Sequence, residues 1–445
     1  MDNTTSRQQR QPRTTRRLKI SLWILLLLAG AEFVARGPMR FLLEPGTWND
    51  FSQGYTASKL WLRGQSPSDP RNFVALWRQE GNSRLELTDI RTHLVPPLGA
   101  LVVLAPVAAF HWSIAKIIWM AVLLIAFATT VFALAMAGGF RHDELRILAF
   151  IAACLALAPF HTGLASGNAT VLVIGACVAA VWAAHNRRDV TAGILFAVAC
   201  SLKPQIGGLF VLYYLVRRRW RLFGTAVATT VALALAAVLQ LQIRGASWTQ
   251  DYVHNATGFF TANNIDDFSA ANPIRFTVIN LQVPFFSITG DSSSANRLAF
   301  AAGALLMSVW LYLVIRRRDE RSEFLPLGAI SIIGLLPVYH RFYDAGLLVV
   351  PLCWCMTQQI GRAKSVARTV LLLMIPFLAP GSAFLQQLSG HTRVPAVVTH
   401  SWWWNCVVMP HETWVLLLLS LVLLYGMTLR TPIPSREVAD LARRT

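Results

Sequence analysis

The chain has 445 residues, of which 55% are hydrophobic and only 14% charged, and its mean hydropathy is +0.48. A water-soluble domain cannot bury so large an apolar fraction, which excludes the soluble classes and predicts an integral membrane protein. The net charge of +18 would fit nucleic acid, but the basic residues sit in short clusters at the ends of apolar runs, the pattern of the positive-inside bias, and nucleic acid is not expected as a partner.

Residues 1–18 are polar and basic and read as a disordered cytoplasmic tail, followed by a first apolar run at Ile20–Ala31. Ala29-Gly30-Ala31 has the look of a cleavage site, but the polar stretch ahead of it is long for a signal peptide, so the helix is read as retained. Further charge-free apolar runs follow at Trp119–Met136, Val171–Ala184, Leu222–Leu241, Leu298–Ile315 and Trp414–Met427. With their flanks most approach the ~20 residues that span a hydrocarbon core as helix.

Basic clusters at Arg187-Arg188, Arg217-Arg218-Arg219, Arg316-Arg317-Arg318 and Arg362 to Arg368 place those loops in the cytoplasm, with the C-terminal tail 431–445. Alternation then puts 37–92, 243–295 and 380–411 outside as loops, the first of them carrying juxtamembrane helices, together with the surroundings of Asn168, Lys203 and Tyr339–Asp344. Two breaks are needed. The stretch His93–Phe110, interrupted by Pro96, Pro97 and Pro106, is read as a short outer-leaflet or re-entrant element, which requires protein or a water-filled cavity beside it. Lys203-Pro204 divides Thr191–Leu215 into two short spans. The expected fold is an all-α polytopic bundle over 19–430 with about twelve crossings.

The six cysteines show no metal-ligand spacing and read as small buried apolar residues. The tryptophans of Trp402-Trp403-Trp404 read as interfacial anchors, and Asp266-Asp267 as solvated loop charge.

Four places on the outer side carry polar groups that topology does not explain. Asp50, in Trp48-Asn49-Asp50-Phe51, precedes a helical run, and on spacing alone it is a helix N-cap. His93 before Pro96-Pro97 reads as an interfacial polar residue. Lys203 in a long apolar stretch either snorkels outward or meets a phosphate as a compact point charge. Tyr339-His340-Arg341-Phe342-Tyr343-Asp344 is either a polar turn with an Arg-Asp pair or a functional cluster, with little to choose between the two.

At these residues the sequence resembles glycosyltransferase family 87, the polyprenyl-phosphate-mannose-dependent mannosyltransferases of the GT-C superfamily. The resemblance runs from about Asp50 to Pro351 and rests on Asp50-Phe51 with Tyr55, Ala57, Gly64 and Asp69-Pro70, then Pro96-Pro97-Leu98-Gly99 with Ala105-Pro106, then Leu202-Lys203-Pro204-Gln205 before the basic loop at Arg217–Arg221. This chain has Gly167-Asn168 where the family usually has Gly-Gln, and His340-Arg341-Phe342-Tyr343-Asp344 where a Ser/Pro-Trp-His pattern is common.

The resemblance implies a GT-C fold with an outward-facing catalytic cavity, in a cell membrane of bacterial type with the site on the periplasmic or extracellular side. It implies Asp50 as general base, and transfer of a hexose, mannose by analogy, from a polyprenyl-phosphate donor to a glycolipid or glycan acceptor with inversion. Lys203 and Arg341 are then candidates for the departing phosphate, His340, His93, Asn168 and Tyr55 for phosphate or sugar, and Tyr343, Asp344 and Gln205 for support. No metal or other cofactor is implied. A transporter or lipid flippase is the rival reading, since broken spans suit it too, but the unusual polar residues gather at one surface and no internal repeat joins the two halves.

Overall fold

The computed structural model describes residues 10–43 (side chains from 16), 49–80, 97–140, 142–258, 266–316, 323–358, 361–390 and 394–429. Their regular structure is helical, and the extended backbone among them pairs at one antiparallel bridge, between Val278 and Arg341.

Helix α1 (Arg10–Val34) runs on through a π-helical turn at Ala35–Met39, containing Pro38, into Arg40–Leu43. It begins at Arg10, within the stretch 1–18 read as a tail. His93, Pro96 and the tail 431–445 lie outside the described residues.

Among the described residues five helices are long and apolar enough to cross a membrane: Arg16–Leu43, α5 (Trp112–Ala137), α11 (Trp220–Ile243), α12 (Ser292–Arg316) and α14 (His411–Thr428). A sixth would be α6 (Glu144–Ala156) with α7 (Ala158–Ala165), bent by 49° where Pro159 follows. The other apolar segments form half-length helices, among them α4 (Leu98–Ala108), α8 (Thr170–His185), α9 (Asp189–Leu202), α10 (Pro204–Val216) and α13 (Phe324–Ile333). Such helices cross a hydrocarbon core only in combination.

Long and short helices occupy different places. The apolar window of α11 is only 17% buried, which suits a lipid-facing helix, whereas α8 and α13 are buried along most of their length. Close packing around α8 and α9 depends on small residues. A Cβ on Gly175 would stand 2.8 Å from the carbonyl oxygen of Ala126, and one on Gly193 the same distance from that of Leu222. Short helices in the interior bring helix ends and polar side chains there, where they must be satisfied by protein or by a wet cavity.

The two expected breaks fall where proline dictates. Lys203 has φ −142° and ψ 85°, between α9 and α10, with Pro204 at the first position of α10. Helix α4 starts after Pro97 and spans eleven residues, too few to cross alone. The six cysteines are free thiols, five of them buried. Trp402 and Trp403 are exposed and Trp404 is buried.

Candidate active site

Helix α2 (Asp50–Leu62) begins with a reciprocal capping box. The Asn49 side chain accepts from the Ser52 N–H at 2.9 Å, and the Ser52 hydroxyl accepts from the Asn49 N–H at 3.1 Å. The cap is therefore Asn49, correcting the reading of Asp50 as cap, and the Asp50 carboxylate is left for other partners at a helix end whose dipole favours an anion.

Behind Asp50 the helix is held on two sides. Phe51 stacks on Trp119 with ring centroids 4.9 Å apart and planes 8° apart. Farther along, Glu80, at the C-terminal end of α3 (Pro70–Gln79), gathers Lys59 Nζ at 2.8 Å, the Tyr55 hydroxyl at 2.7 Å and the Trp112 N–H at 2.9 Å. Lys59 also donates to the Phe110 carbonyl at 2.8 Å. Tyr55 is thus wholly buried in this knot and is not among the residues lining the cavity described below, so its place is to fix α2.

The turn ahead of α8 supplies the next partner. Gly167 has φ +64°, and its carbonyl accepts from Trp119 Nε1 at 2.8 Å. Asn168 Oδ1 accepts from the Thr170 N–H at 2.9 Å and lies 2.7 Å from the Thr170 hydroxyl. Those donors fix the amide orientation, and Asn168 Nδ2 must then face Asp50, donating to its Oδ2 at 2.8 Å.

The Thr170 hydroxyl also stands 2.6 Å from Asp344 Oδ1, so its single proton is shared between two acceptors. Asp344 accepts from Lys203 Nζ at 2.6 Å, His340 Nδ1 lies 3.0 Å from its Oδ2, and the Arg341 backbone N–H donates to it at 3.2 Å. A continuous polar chain runs Asp50, Asn168, Thr170, Asp344, Lys203. The expected side-chain pair between Arg341 and Asp344 is not what forms: Asp344 pairs with Lys203, because the break at Pro204 aims the ammonium at it. The Arg341 Nε instead donates to the Tyr339 hydroxyl at 2.7 Å, and its buried Nη2 has no hydrogen-bond partner.

Other expected residues fall nearby or apart. His340 is fully buried, with Nε2 unpartnered. The Tyr343 ring centroid lies 4.7 Å from Lys203 Nζ. Gln205 is exposed, past the break, and does not line the cavity.

Asp50, Asn168 and Lys203 all line one cavity of about 240 Å³, walled by Trp119, Leu101 and Leu104. Helix α4 closes against it because Gly99 lets its backbone meet Ser201: a Cβ there would lie 2.7 Å from the Ser201 hydroxyl. A second cavity, about 350 Å³, is lined by Ala137, His185, Glu323 and Gln358. It stands at the C-terminal ends of α5 and α8, whereas the first stands near their N-terminal ends. Among the described residues no three His, Cys, Asp or Glu side chains group as metal ligands.

Sequence reasoning missed Thr170, Glu80, Lys59 and the burial of Asp266. Thr170 had a signal, since it closes the Asn168-x-Thr170 triplet, whose use is structural here. Of Asp266 and Asp267, read as solvated charge, Asp266 is not solvated, being 8% exposed, whereas Asp267 is half-buried and accepts from the N–H and hydroxyl of Ser269 at 2.8 and 2.9 Å.

The family model described as Glycosyltransferase family 87 matches residues 95–339, more than half of the chain, including Asn168 and Lys203 but not Asp50 or the turn from His340. No curated protein matches the chain.

Proposed function

The chain belongs to glycosyltransferase family 87 and is a membrane glycosyltransferase, and from that membership together with the cavity we propose the donor, the base and the course of the reaction. The donor is a polyprenyl-phosphate hexose, with mannose as the sugar. The acceptor is a hydroxyl of a glycolipid or glycan, on the outer face of a bacterial-type plasma membrane. The supporting observation is that a carboxylate, Asp50, and an ammonium, Lys203, line the same apolar-walled cavity.

A sugar hydroxyl is a weak nucleophile at neutral pH, so the attack needs a base at the attacking oxygen. Asp50 takes that proton as the acceptor oxygen bonds to the anomeric carbon. The bond from that carbon to the phosphate oxygen breaks, its electron pair stays on the phosphate, and the anomeric configuration inverts. Asn168 holds Oδ2 of Asp50 by its amide, which leaves Oδ1 for the incoming proton.

The negative charge that grows on the leaving phosphate is stabilised by cations held in place before the reaction. Lys203 is held by Asp344, and Arg341, which does not itself line the cavity, is the second cation of this reading. The polyprenyl tail lies in the bilayer and enters between helices, each buried CH₂ contributing ~0.8 kcal/mol.

The test is transfer of labelled mannose from a short-chain polyprenyl-phosphate mannose by purified protein carrying Asp50→Asn. Loss of transfer with unchanged donor binding is the expected result. Transfer at the wild-type rate by the folded variant would remove Asp50 as base.

A further inference from the structure

Helix α2 turns one face to the cavity. Asp50, Gln53, Gly54, Ala57 and Ser58 all line it, and their spacing of i, i+3, i+4, i+7 and i+8 is a single stripe along a helix. The helix is held from other sides, with Phe51 stacked on Trp119 and Tyr55 bonded to Glu80. Within the stripe Gly54 and Ala57 leave space open. That space closes at Gly54, where a Cβ would stand 2.8 Å from Leu104 Cδ1 on α4.

A residue three positions on from Asp50 is its neighbour on the helix surface, with about 5–6 Å between Cβ atoms. Gln53 therefore stands one turn past the carboxylate, half-buried, on the same wall. A substrate with its reacting oxygen at Asp50 has its adjoining atoms at Gln53.

Hydroxyls of a sugar in this cavity need partners, and the other polar side chains of the wall are committed. Asp50 has one oxygen on the Asn168 amide and the other open for the transferred proton. The Asn168 oxygen accepts from Thr170. Lys203 is held by Asp344 and can only donate. Trp119 Nε1 donates to the Gly167 carbonyl, and the Ser58 hydroxyl is enclosed by protein. Among the described side chains lining the cavity, Gln53 is the one with an uncommitted amide, which has an oxygen to accept and two N–H groups to donate.

We propose that Gln53 is the sugar-selecting residue of this cavity, its amide pairing with a hydroxyl of the hexose that reacts at Asp50. The proposal rests on the glycosyl-transfer reading and adds to it a determinant of which sugar is accepted. A sugar hydroxyl donates and accepts, and so does an amide. The closed end at Gly54 and Leu104 limits how far the ring can slide along the wall. The hydroxyl belongs to the donor hexose or to an acceptor sugar, and both present the same chemistry.

The experiment measures equilibrium binding to the full-length protein in nanodiscs. One arm uses citronellyl-phosphate mannose and its 2-, 3-, 4- and 6-deoxy analogues, and the other uses octyl α-mannoside and the same deoxy series. In the wild type, loss of one hydroxyl in one arm is expected to weaken binding about three- to tenfold, the worth of one hydrogen bond. The arm that responds identifies the source. Gln53→Leu is expected to bind the parent sugar more weakly by the same factor and to bind that deoxy analogue as well as the parent, with thermal unfolding unchanged. Gln53→Ala is the second variant, with the same expected outcome.

Uniform binding of every deoxy analogue in both arms by the wild type overturns the proposal without any variant. Discrimination at the same hydroxyl that persists in either folded variant overturns it equally. Failure of the wild type to bind either parent sugar overturns the glycosyl-transfer reading together with the proposal. Asp50→Asn is expected to keep the discrimination while losing transfer. If it keeps both, the base assignment falls and the sugar contact stands.

Discussion

The Asn168 amide donates to Asp50 Oδ2 at 2.8 Å, joining two residues 118 positions apart across the cavity. Because Thr170 occupies the Asn168 oxygen, the amide has no alternative orientation, and one carboxylate oxygen is held while the other stays open. Asp50→Asn is expected to lower kcat by roughly 10²–10⁴, the range of a lost general base, with the fold intact because Asn49 supplies the cap. Asn168→Ala is expected to cost less, about tenfold in kcat, since it removes one net hydrogen bond to a charged group. Single-turnover transfer assays of both variants check the order.

Lys203 differs from Asp50 in having a buried countercharge. Asp344 Oδ1 sits 2.6 Å from the ammonium, and the Thr170 hydroxyl, the Arg341 N–H and His340 Nδ1 complete the set around that carboxylate. Lys203→Met leaves Asp344 without its cation and is expected to weaken donor binding about tenfold to a hundredfold, the worth of a charged hydrogen bond. Lys203→Arg is expected to rescue little, because a planar fork does not fit a site built around a compact point charge. Donor titration of both variants beside the wild type gives the comparison.

The sequence already carried the membrane class, the breaks at Pro97 and Lys203-Pro204 and the residues Asp50, Asn168, Lys203, Arg341 and Asp344. The breaks, Lys203, Arg341 and Asp344 stood out because a charge or a proline is costly in an apolar stretch, a local property, whereas Asp50 and Asn168 were singled out by the family resemblance. The pairing was not local. That Asp344 takes Lys203 rather than Arg341 depends on how α9 and α10 are aimed at a turn some 140 residues later. Tyr55 looked like a site residue, yet its hydroxyl goes to Glu80, whose place beside α2 no spacing rule reveals. Asp266 looked solvated because a loop aspartate usually is, and its burial depends on how the outer loop folds, which no local pattern shows.

Glu80 is the clearest stability determinant outside the cavity. Burial pushes its carboxyl up, but hydrogen bonds from Lys59, Tyr55 and the Trp112 N–H, with the Lys59 charge, hold it below the usual carboxylate range. With a depressed folded-state pKa, its contribution is present in full above the ordinary glutamate value of about 4.3 and is lost as pH falls through the lower folded value. Glu80→Gln strands a buried ammonium and is expected to destabilise by about 3–5 kcal/mol at neutral pH. In thermal unfolding followed from pH 7 to 3, the gap between wild type and Glu80→Gln should narrow toward acid. A gap that stayed constant would show that charge is not its origin.

Gly167 joins conformation and crowding at one position. Its φ of +64° is a region that L side chains rarely adopt, and an added Cβ would stand 2.9 Å from the Phe51 Cβ and against the Phe41 ring. Phe51 cannot give way, because it is stacked on Trp119, and Trp119 in turn donates to the Gly167 carbonyl. Gly167→Ala therefore has to shift the turn, carrying Asn168 away from Asp50. The backbone strain alone costs about 1–3 kcal/mol, and the thermal unfolding temperature should fall accordingly. Activity is expected to fall about tenfold in kcat, as for Asn168→Ala, since the shifted turn removes the same hydrogen bond to the carboxylate. A Gly167→Ala enzyme with lowered stability and wild-type kcat would show that Asn168 need not be held against the carboxylate for transfer to proceed.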